Sequence, residues 1–281
     1  MSDALDRRVY RAANERMNTP DQAAAPGHNP RVLEESRVLI VGGTAGIGLA
    51  TARAFVAAGA RVAIVGRSAE RGTAAAASLG TAARFLQADA ADTDAVAAMV
   101  EHAENTLGRI DTVVASPGTT RLPELLHRQS LEEIRQALTQ DLAPVLYVTR
   151  AALPALKRAG GGCVIAVASD AGKTATPGEA VIGAGMAAII QFMRTVGIEG
   201  KRDNIRANTL TPSLVEGTPL TERLMAEGTF SAKLFAKARA LAHLGPTEAE
   251  DLAALAVFLA SPAARRITGQ AISVNGGISA A

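Results

Sequence analysis

The stretch "RVLIVGGTAGIGLATARAFVAAGA" sets Gly42, Gly46 and Gly48 between a run of branched apolar residues and an Ala-rich helical pattern, spaced G-x-x-x-G-x-G. Glycine at those points lets the backbone turn tightly and approach a pyrophosphate, whose charge is met by the unpaired N–H groups that open the helix. Thr44 and Ile47 belong to the same loop. The second apolar run ends in "VAIVGRSAER", which puts Gly66 where a carboxylate would bind the 2′-hydroxyl of an adenosine ribose, with Arg67 and Ser68 next. A missing carboxylate beside a guanidinium suits a 2′-phosphate, so the pattern favours NADP(H) over NAD(H). Asp89, followed by Ala90 in "LQADAAD", is placed either to accept from the adenine amino group or to cap the next helix.

These residues need a scaffold that brings strand ends and helix starts together. From about residue 37 the chain alternates short β-branched runs with Ala-rich stretches, the pattern of a parallel sheet with helices on both faces. The candidate strands are "RVLIVGG", "RVAIVG", "ARFLQAD", "DTVVASPG", "CVIAVAS", "IRANTLTP" and "AISVNGG"; helical spacing marks residues 47–58, 92–107, 131–158 and 180–199. Together they predict an α/β, single-domain Rossmann fold over residues 32–281, with a doubly wound seven-stranded parallel sheet. Ahead of it, "MNTPDQAAAPGHNP" reads as a linker, and residues 1–31 as an N-terminal arm or linker, either disordered or packed on a partner subunit.

Composition removes several functions. The chain has 29 basic and 27 acidic residues, a net charge of +2, and the basic residues are scattered, so no nucleic-acid or membrane-surface role is expected. The single cysteine, Cys163, cannot form an intrachain disulfide and fits a reducing compartment. No apolar run reaches the ~20 residues of a membrane span, the N-terminus lacks a signal-peptide core, and no metal site is expected; the protein reads as cytoplasmic.

On these motifs the chain resembles the short-chain dehydrogenase/reductase family from about Leu33 to Gly277. "VGGTAGIG" is similar to the family's T-G-x-x-x-G-x-G with Val41 in place of threonine, and "VLYVTRAALPALKRAGGGCVIAVASDAG" to the segment carrying its serine. "NIRANTLTPSLVEGTPL" resembles the segment that folds over nicotinamide; it keeps the proline as Pro212, while Ser213 follows where glycine is usual. The resemblance implies that Ser169 hydrogen-bonds the substrate oxygen. The family's proton-transferring tyrosine, thirteen residues on, falls at Ile182, and its lysine, four further, at Met186. The assisting asparagine falls at Asp141, and the Asn-Asn-Ala-Gly loop at Ala115, Ser116, Pro117 and Gly118. The chain has two tyrosines, Tyr10 and Tyr147, and neither is followed by lysine at the fourth position, so no shift of register restores the pair.

Binding and chemistry therefore separate, and three readings stand. The chain is an NADP(H)-dependent oxidoreductase of a small molecule whose proton donor is one of Asp141, Ser169, Asp170, Lys173, Glu179 or Arg121. Alternatively it is a catalytically silent subunit, a pseudoenzyme partnering an active paralogue in a mixed oligomer; either a homo-oligomer or such a hetero-oligomer is expected. The third is a non-redox enzyme on the same scaffold. The resemblance implies assembly through residues 131–158 and 180–199, and residues 121–130 and 214–244 are expected to wall and cover the pocket with a mixed apolar and basic lining.

Overall fold

The computed structural model describes residues 32–119 and 121–280; the expected arm or linker over residues 1–31, with Tyr10, lies outside them. Seven strands occupy the seven apolar runs: β1 (Arg37–Val41), β2 (Arg61–Gly66), β3 (Ala83–Gln87), β4 (Thr112–Ala115), β5 (Gly162–Val167), β6 (Ile205–Pro212) and β9 (Ala271–Val274). They pair in parallel in the order β3-β2-β1-β4-β5-β6-β9. The order reverses between β1 and β4, so the loops leaving Val41 and Ala115, which are register partners, diverge and open a crevice at the carboxyl ends of the strands.

Near-continuous branched apolar sequence is what a strand covered on both faces requires, and each face has its own core. On one face β1 and β2 bury Val38, Ile40, Val62 and Ile64 against α1 (Gly46–Ala57), α2 (Ala69–Leu79) and α9 (Ala249–Ala260), with Phe55, Leu252 and Leu259 fully enclosed. On the other, α3 (Thr93–Leu107), α5 (Ala143–Arg158) and α6 (Ala180–Glu199) cover β4 and β5 with Met99, Val148, Leu156, Ile189 and Met193. This is the single-domain Rossmann architecture the sequence predicts.

The helix expected over 131–158 is not continuous. It runs as α4 (Leu131–Ala137), a widened π-type turn over Leu138–Leu142, and then α5. Pro144 at the start of α5 has no N–H to give to the preceding turn and its ring would strike that turn's carbonyl, so the chain widens there, as proline demands. Asp141 sits in this turn.

The segment Ala180–Asp203 is long and apolar enough in composition to cross a membrane, which the search for a continuous apolar run passed over. Its apolar residues Met186, Ile189, Ile190, Met193 and Val196 are buried in the core formed with the sheet. Two short strands, β7 (Val215–Glu216) and β8 (Thr247–Glu248), pair in parallel at the ends of a segment that carries α7 (Pro219–Leu224) and α8 (Phe230–Leu241). Leu214, Leu224 and Phe235 close this segment over Leu122 as a small separate core.

Candidate functional site

At the mouth of the crevice, Gly42 has φ +80°, and a methyl group placed on it would lie 1.9 Å from the Ser116 carbonyl oxygen. One placed on Gly48 would lie 2.2 Å from the Gly42 carbonyl oxygen. The β1–α1 loop therefore packs backbone against backbone, and Gly46, at φ +49°, completes the turn. The N–H groups of Gly42 and Gly43 both donate to Val65 O, at 3.0 and 3.2 Å, which ties the loop to β2. Ala45 precedes α1 without a side-chain cap, and no acidic residue occupies the first turn, so the first N–H groups of α1, including that of Ile47, are left for an anion.

At the end of β2, a side chain on Gly66 would meet Thr44 Cγ2 at 2.7 Å, so Thr44 fills the space an acidic residue would need. The neighbouring Arg67 is exposed, and its guanidinium has no hydrogen bond or ion pair among the described residues. Ser68 caps α2, accepting from Arg71 N at 3.3 Å. Asp89 is exposed and accepts from Ala91 N at 3.0 Å; the cap of α3 is Asp92, three residues further, so Asp89 is not the helix cap. Ala90 packs partly buried against the core beneath it. Across the crevice, Ser116 donates its N–H to Val41 O at 2.9 Å, Gly118 faces open space, and Pro212 ends β6 opposite Val274.

The other end of the crevice is built on the turn after β5. Ser169 Oγ accepts from Ala171 N at 3.2 Å, which fixes the hydroxyl and leaves its O–H to donate. Asp170, 5% exposed, accepts from Asn275 Nδ2 at 3.0 Å and from the Ser279 hydroxyl, and its other oxygen faces Lys173 Nζ at 3.8 Å. The Lys173 ammonium also donates to the Ser273 hydroxyl. A buried ion pair thus ties the serine turn to β9 and the residues beyond it. Nothing in the sequence pairs Asp170 with residues more than a hundred positions away, and Ser273, Asn275 and Ser279 are functional neighbours that sequence reasoning missed.

Arg121 and Asp141 meet from separate elements, Nε to Oδ2 at 3.0 Å, with both side chains largely buried. Burial raises the Asp141 carboxyl, while the Arg121 charge and a hydrogen bond from Thr119 pull it back towards ionisation. Glu179, at the residue before α6, is pushed up to about 7, first by burial and then by the Asp170 charge, against a hydrogen bond with Thr176. One turn on, Ile182 is partly buried against the core, and Met186 is 9% exposed within it. Tyr147 lies on α5 and is 37% exposed. Cys163 is buried in β5 and its thiol is pushed up to about 11, so it is an inert core residue. Among the described residues no cluster of His, Cys, Asp or Glu could hold a metal ion.

With this geometry in hand, the comparisons with known proteins are specific. Residues 42–279 match the family model described as enoyl-(acyl carrier protein) reductase. The chain is 32% identical over 251 residues to the 3-oxoacyl-[acyl-carrier-protein] reductase of Chlamydia trachomatis, covering 88% of this chain and 98% of that protein. It is also 32% identical to the NADP-dependent (R)-specific alcohol dehydrogenase of Lentilactobacillus kefiri, over 88% of this chain and 98% of that one. A solved structure of a short chain dehydrogenase/reductase family protein superimposes with a TM-score of 0.77 at 32% identity, covering 87% of this chain and 97% of that one. A second, from Mycobacterium ulcerans, gives a TM-score of 0.81 at 28% identity, over 87% and 90%.

Proposed function

The chain belongs to the short-chain dehydrogenase/reductase family, and from that premise we propose that it is an NADP(H)-dependent oxidoreductase of a small carbonyl or alcohol substrate, with Ile182 and Met186 standing where the family's tyrosine and lysine work. The observation that carries the reading is the glycine cradle, in which side chains at Gly42 and Gly48 would collide with backbone, so that only glycine lets the loop turn this tightly beside the uncapped start of α1. When bound, the nicotinamide exchanges a hydrogen and two electrons with the substrate carbon.

The chain's own residues do the rest. The free N–H groups at the start of α1 hold the pyrophosphate, and Arg67, without a protein partner, holds the 2′-phosphate. Ser68 and Asp89 line the adenosine end from fixed turns, and Ser116, Gly118 and Pro212 line the cavity towards the nicotinamide. Ser169 presents its O–H to the substrate oxygen. Asp141 holds Arg121 at the pocket wall, and Ile182 and Met186 supply an apolar face that can move no proton. Exposed Leu131 on α4, Leu138 in the π-type turn, Tyr147 on α5 and Ile198 on α6 support assembly through this region, and the lone buried cysteine suits a cytoplasmic setting. The NADP dependence named for the Lentilactobacillus relative agrees with the role given to Arg67.

Fluorescence titration with NADPH and NADH, followed by a carbonyl panel read by nicotinamide absorbance, tests the reading. NADPH binds more tightly than NADH, and Arg67→Ala weakens NADPH by about 10- to 150-fold, the value of a charge-assisted contact, while leaving NADH unchanged. Equal affinities for the two dinucleotides, or binding of neither, refute it.

A further inference from the structure

A carbonyl reduction needs a proton at the developing alkoxide, and neither Ile182 nor Met186 holds one. Resting on the redox reading above, the question becomes which ionisable side chain of the site is free to give it. Asp141 shares its charge with Arg121 at 3.0 Å. Asp170 is committed to Asn275, Ser279 and Lys173, and the Lys173 ammonium to Asp170 and Ser273. Among the carboxylates at this end of the site, Glu179 has no cationic partner among the described residues.

Its position is fixed from two sides. The Gly183 N–H donates to Glu179 O at 2.6 Å, so Glu179 belongs to the first turn of α6. A methyl group on Gly183 would lie 2.7 Å from Ala171 O, and one on Gly172 would lie 2.7 Å from the Met186 carbonyl carbon. Residues 183 and 186 share one face of α6, that face meets the turn that begins at Ser169, and Glu179 immediately precedes the helix. On the opposite side, a methyl group on Gly178 would lie 2.5 Å from Phe230 Cε1 of α8, and Gly178 O accepts from Glu124 N at 2.9 Å. Half-buried Glu179 therefore sits in the chain between the segment that meets the serine turn and Gly178, which packs on the covering segment.

We propose that Glu179 is the catalytic acid and base of this site, exchanging the proton with the substrate oxygen that Ser169 holds. In reduction, a bound reduced nicotinamide would supply hydride, its C–H bond breaking as the new C–H bond forms at the carbonyl carbon, and the carbonyl π pair moves onto oxygen. An O–H bond then forms there as the Glu179 O–H bond breaks, and solvent reprotonates the carboxylate after product leaves; oxidation runs the same steps backwards. Enclosure and the Asp170 charge hold the carboxyl at about 7, so it keeps its proton in a large fraction of molecules at neutral pH. The other charges on the elements around it are Lys173, paired with Asp170; Glu124, paired with Arg128 at 3.7 Å; and Lys233 on α8.

The test uses the full chain with NADPH and a carbonyl panel, comparing wild type, Glu179→Gln, Glu179→Asp and Glu179→Ala. Glu179→Gln is expected to lower kcat by about 10²- to 10⁴-fold. NADPH affinity by fluorescence should stay within about threefold, and the fall of wild-type kcat as pH rises through 7 should vanish. Glu179→Asp retains part of the rate, and acetate or formate rescues Glu179→Ala in proportion to the protonated acid. Carboxyl carbon NMR of the chain without NADPH should show one glutamate titrating near 7 that is absent from Glu179→Gln. Turnover by Glu179→Gln within about threefold of wild type, with the pH limb intact, overturns the assignment while leaving the redox reading standing. A wild type that binds NADPH, shows the titration near 7 and reduces nothing overturns the redox reading and the assignment together.

Discussion

Replacing Gly42 by alanine should weaken dinucleotide binding and cost the fold measurably, whereas the same change at Gly118 should spare the fold. At Gly42 two penalties add. The residue has φ +80°, where an L side chain costs about 1–2 kcal/mol, and the new methyl would sit 1.9 Å from Ser116 O, well inside contact distance. Relieving that overlap means parting the ends of β1 and β4, an overpacking cost of about 1–3 kcal/mol. The sum, about 2–5 kcal/mol, corresponds to a melting temperature lower by about 4–20 °C in a domain of this size. Moving the loop also withdraws the N–H groups at the start of α1; losing two charge-assisted contacts is worth about 3 kcal/mol, or about 10²-fold in NADPH affinity. Gly118 has no atom within 4 Å of a new methyl and no left-handed φ, so Gly118→Ala should melt within about 2 °C of wild type. Differential scanning fluorimetry and NADPH fluorescence measure both variants. Should Gly42→Ala melt within 2 °C of wild type and bind NADPH as well, the close backbone approach has been misjudged.

Asp170→Ala leaves the Lys173 ammonium, 10% exposed, without its carboxylate, and should cost about 3–5 kcal/mol, or about 6–20 °C in melting temperature; a loss under about 2 °C means the pair is not what anchors the turn. The Glu179 carboxyl, near 7 in the folded chain against 4.5 for an ordinary glutamate, binds its proton more tightly when folded. Its stabilisation is complete below about pH 4.5 and disappears as pH rises through 7, amounting to at most about 3 kcal/mol and less after solvent screening. Denaturant titrations of wild type and Glu179→Gln should agree at low pH and separate as pH rises through 7, wild type becoming the less stable, and a constant difference argues that Glu179 does not titrate there. Ile182→Tyr combined with Met186→Lys should raise carbonyl reduction by about 10²-fold or more if the crevice otherwise fits the family's chemistry; no gain of rate in a variant that still binds NADPH means the pocket has been rebuilt around another donor.

Most of the scaffold was legible because its signals are local. Seven branched apolar runs became seven strands, and a glycine triplet between a strand and a helix pattern marked the cradle without any knowledge of what faces it. The break of the long helix at Leu138–Leu142 was hidden, since Pro144 is acceptable at a helix start and the periodicity on either side continues across the widened turn. Long-range polar links were hidden altogether. The pairing of Asp170 with Asn275 and Ser279 depends on β9 docking beside β6, and Arg121 finds Asp141 only because the loop after β4 folds back over the π-type turn. Asp89 illustrates the limit at close range, since of two aspartates three residues apart only the geometry shows that Asp92 makes the cap.

The two apolar residues on α6 have a physical consequence beyond the proton they lack. Met186 lies in the main core at 9% exposure, a place where an ammonium would be held at a large desolvation cost unless paired. An apolar side chain avoids that cost and adds packing. The charge of this region sits instead on the turn after β5, where Lys173 and Asp170 neutralise each other and bind to β9 and the residues that follow. A cation anchored in that way fixes the Ser169 turn. On the redox reading proposed above, the proton then has to come from a group other than Ile182 or Met186. Glu179 meets that requirement because it is enclosed enough to hold a proton, near enough to the serine turn to feel Asp170, and tied to no cation that would take the proton's place.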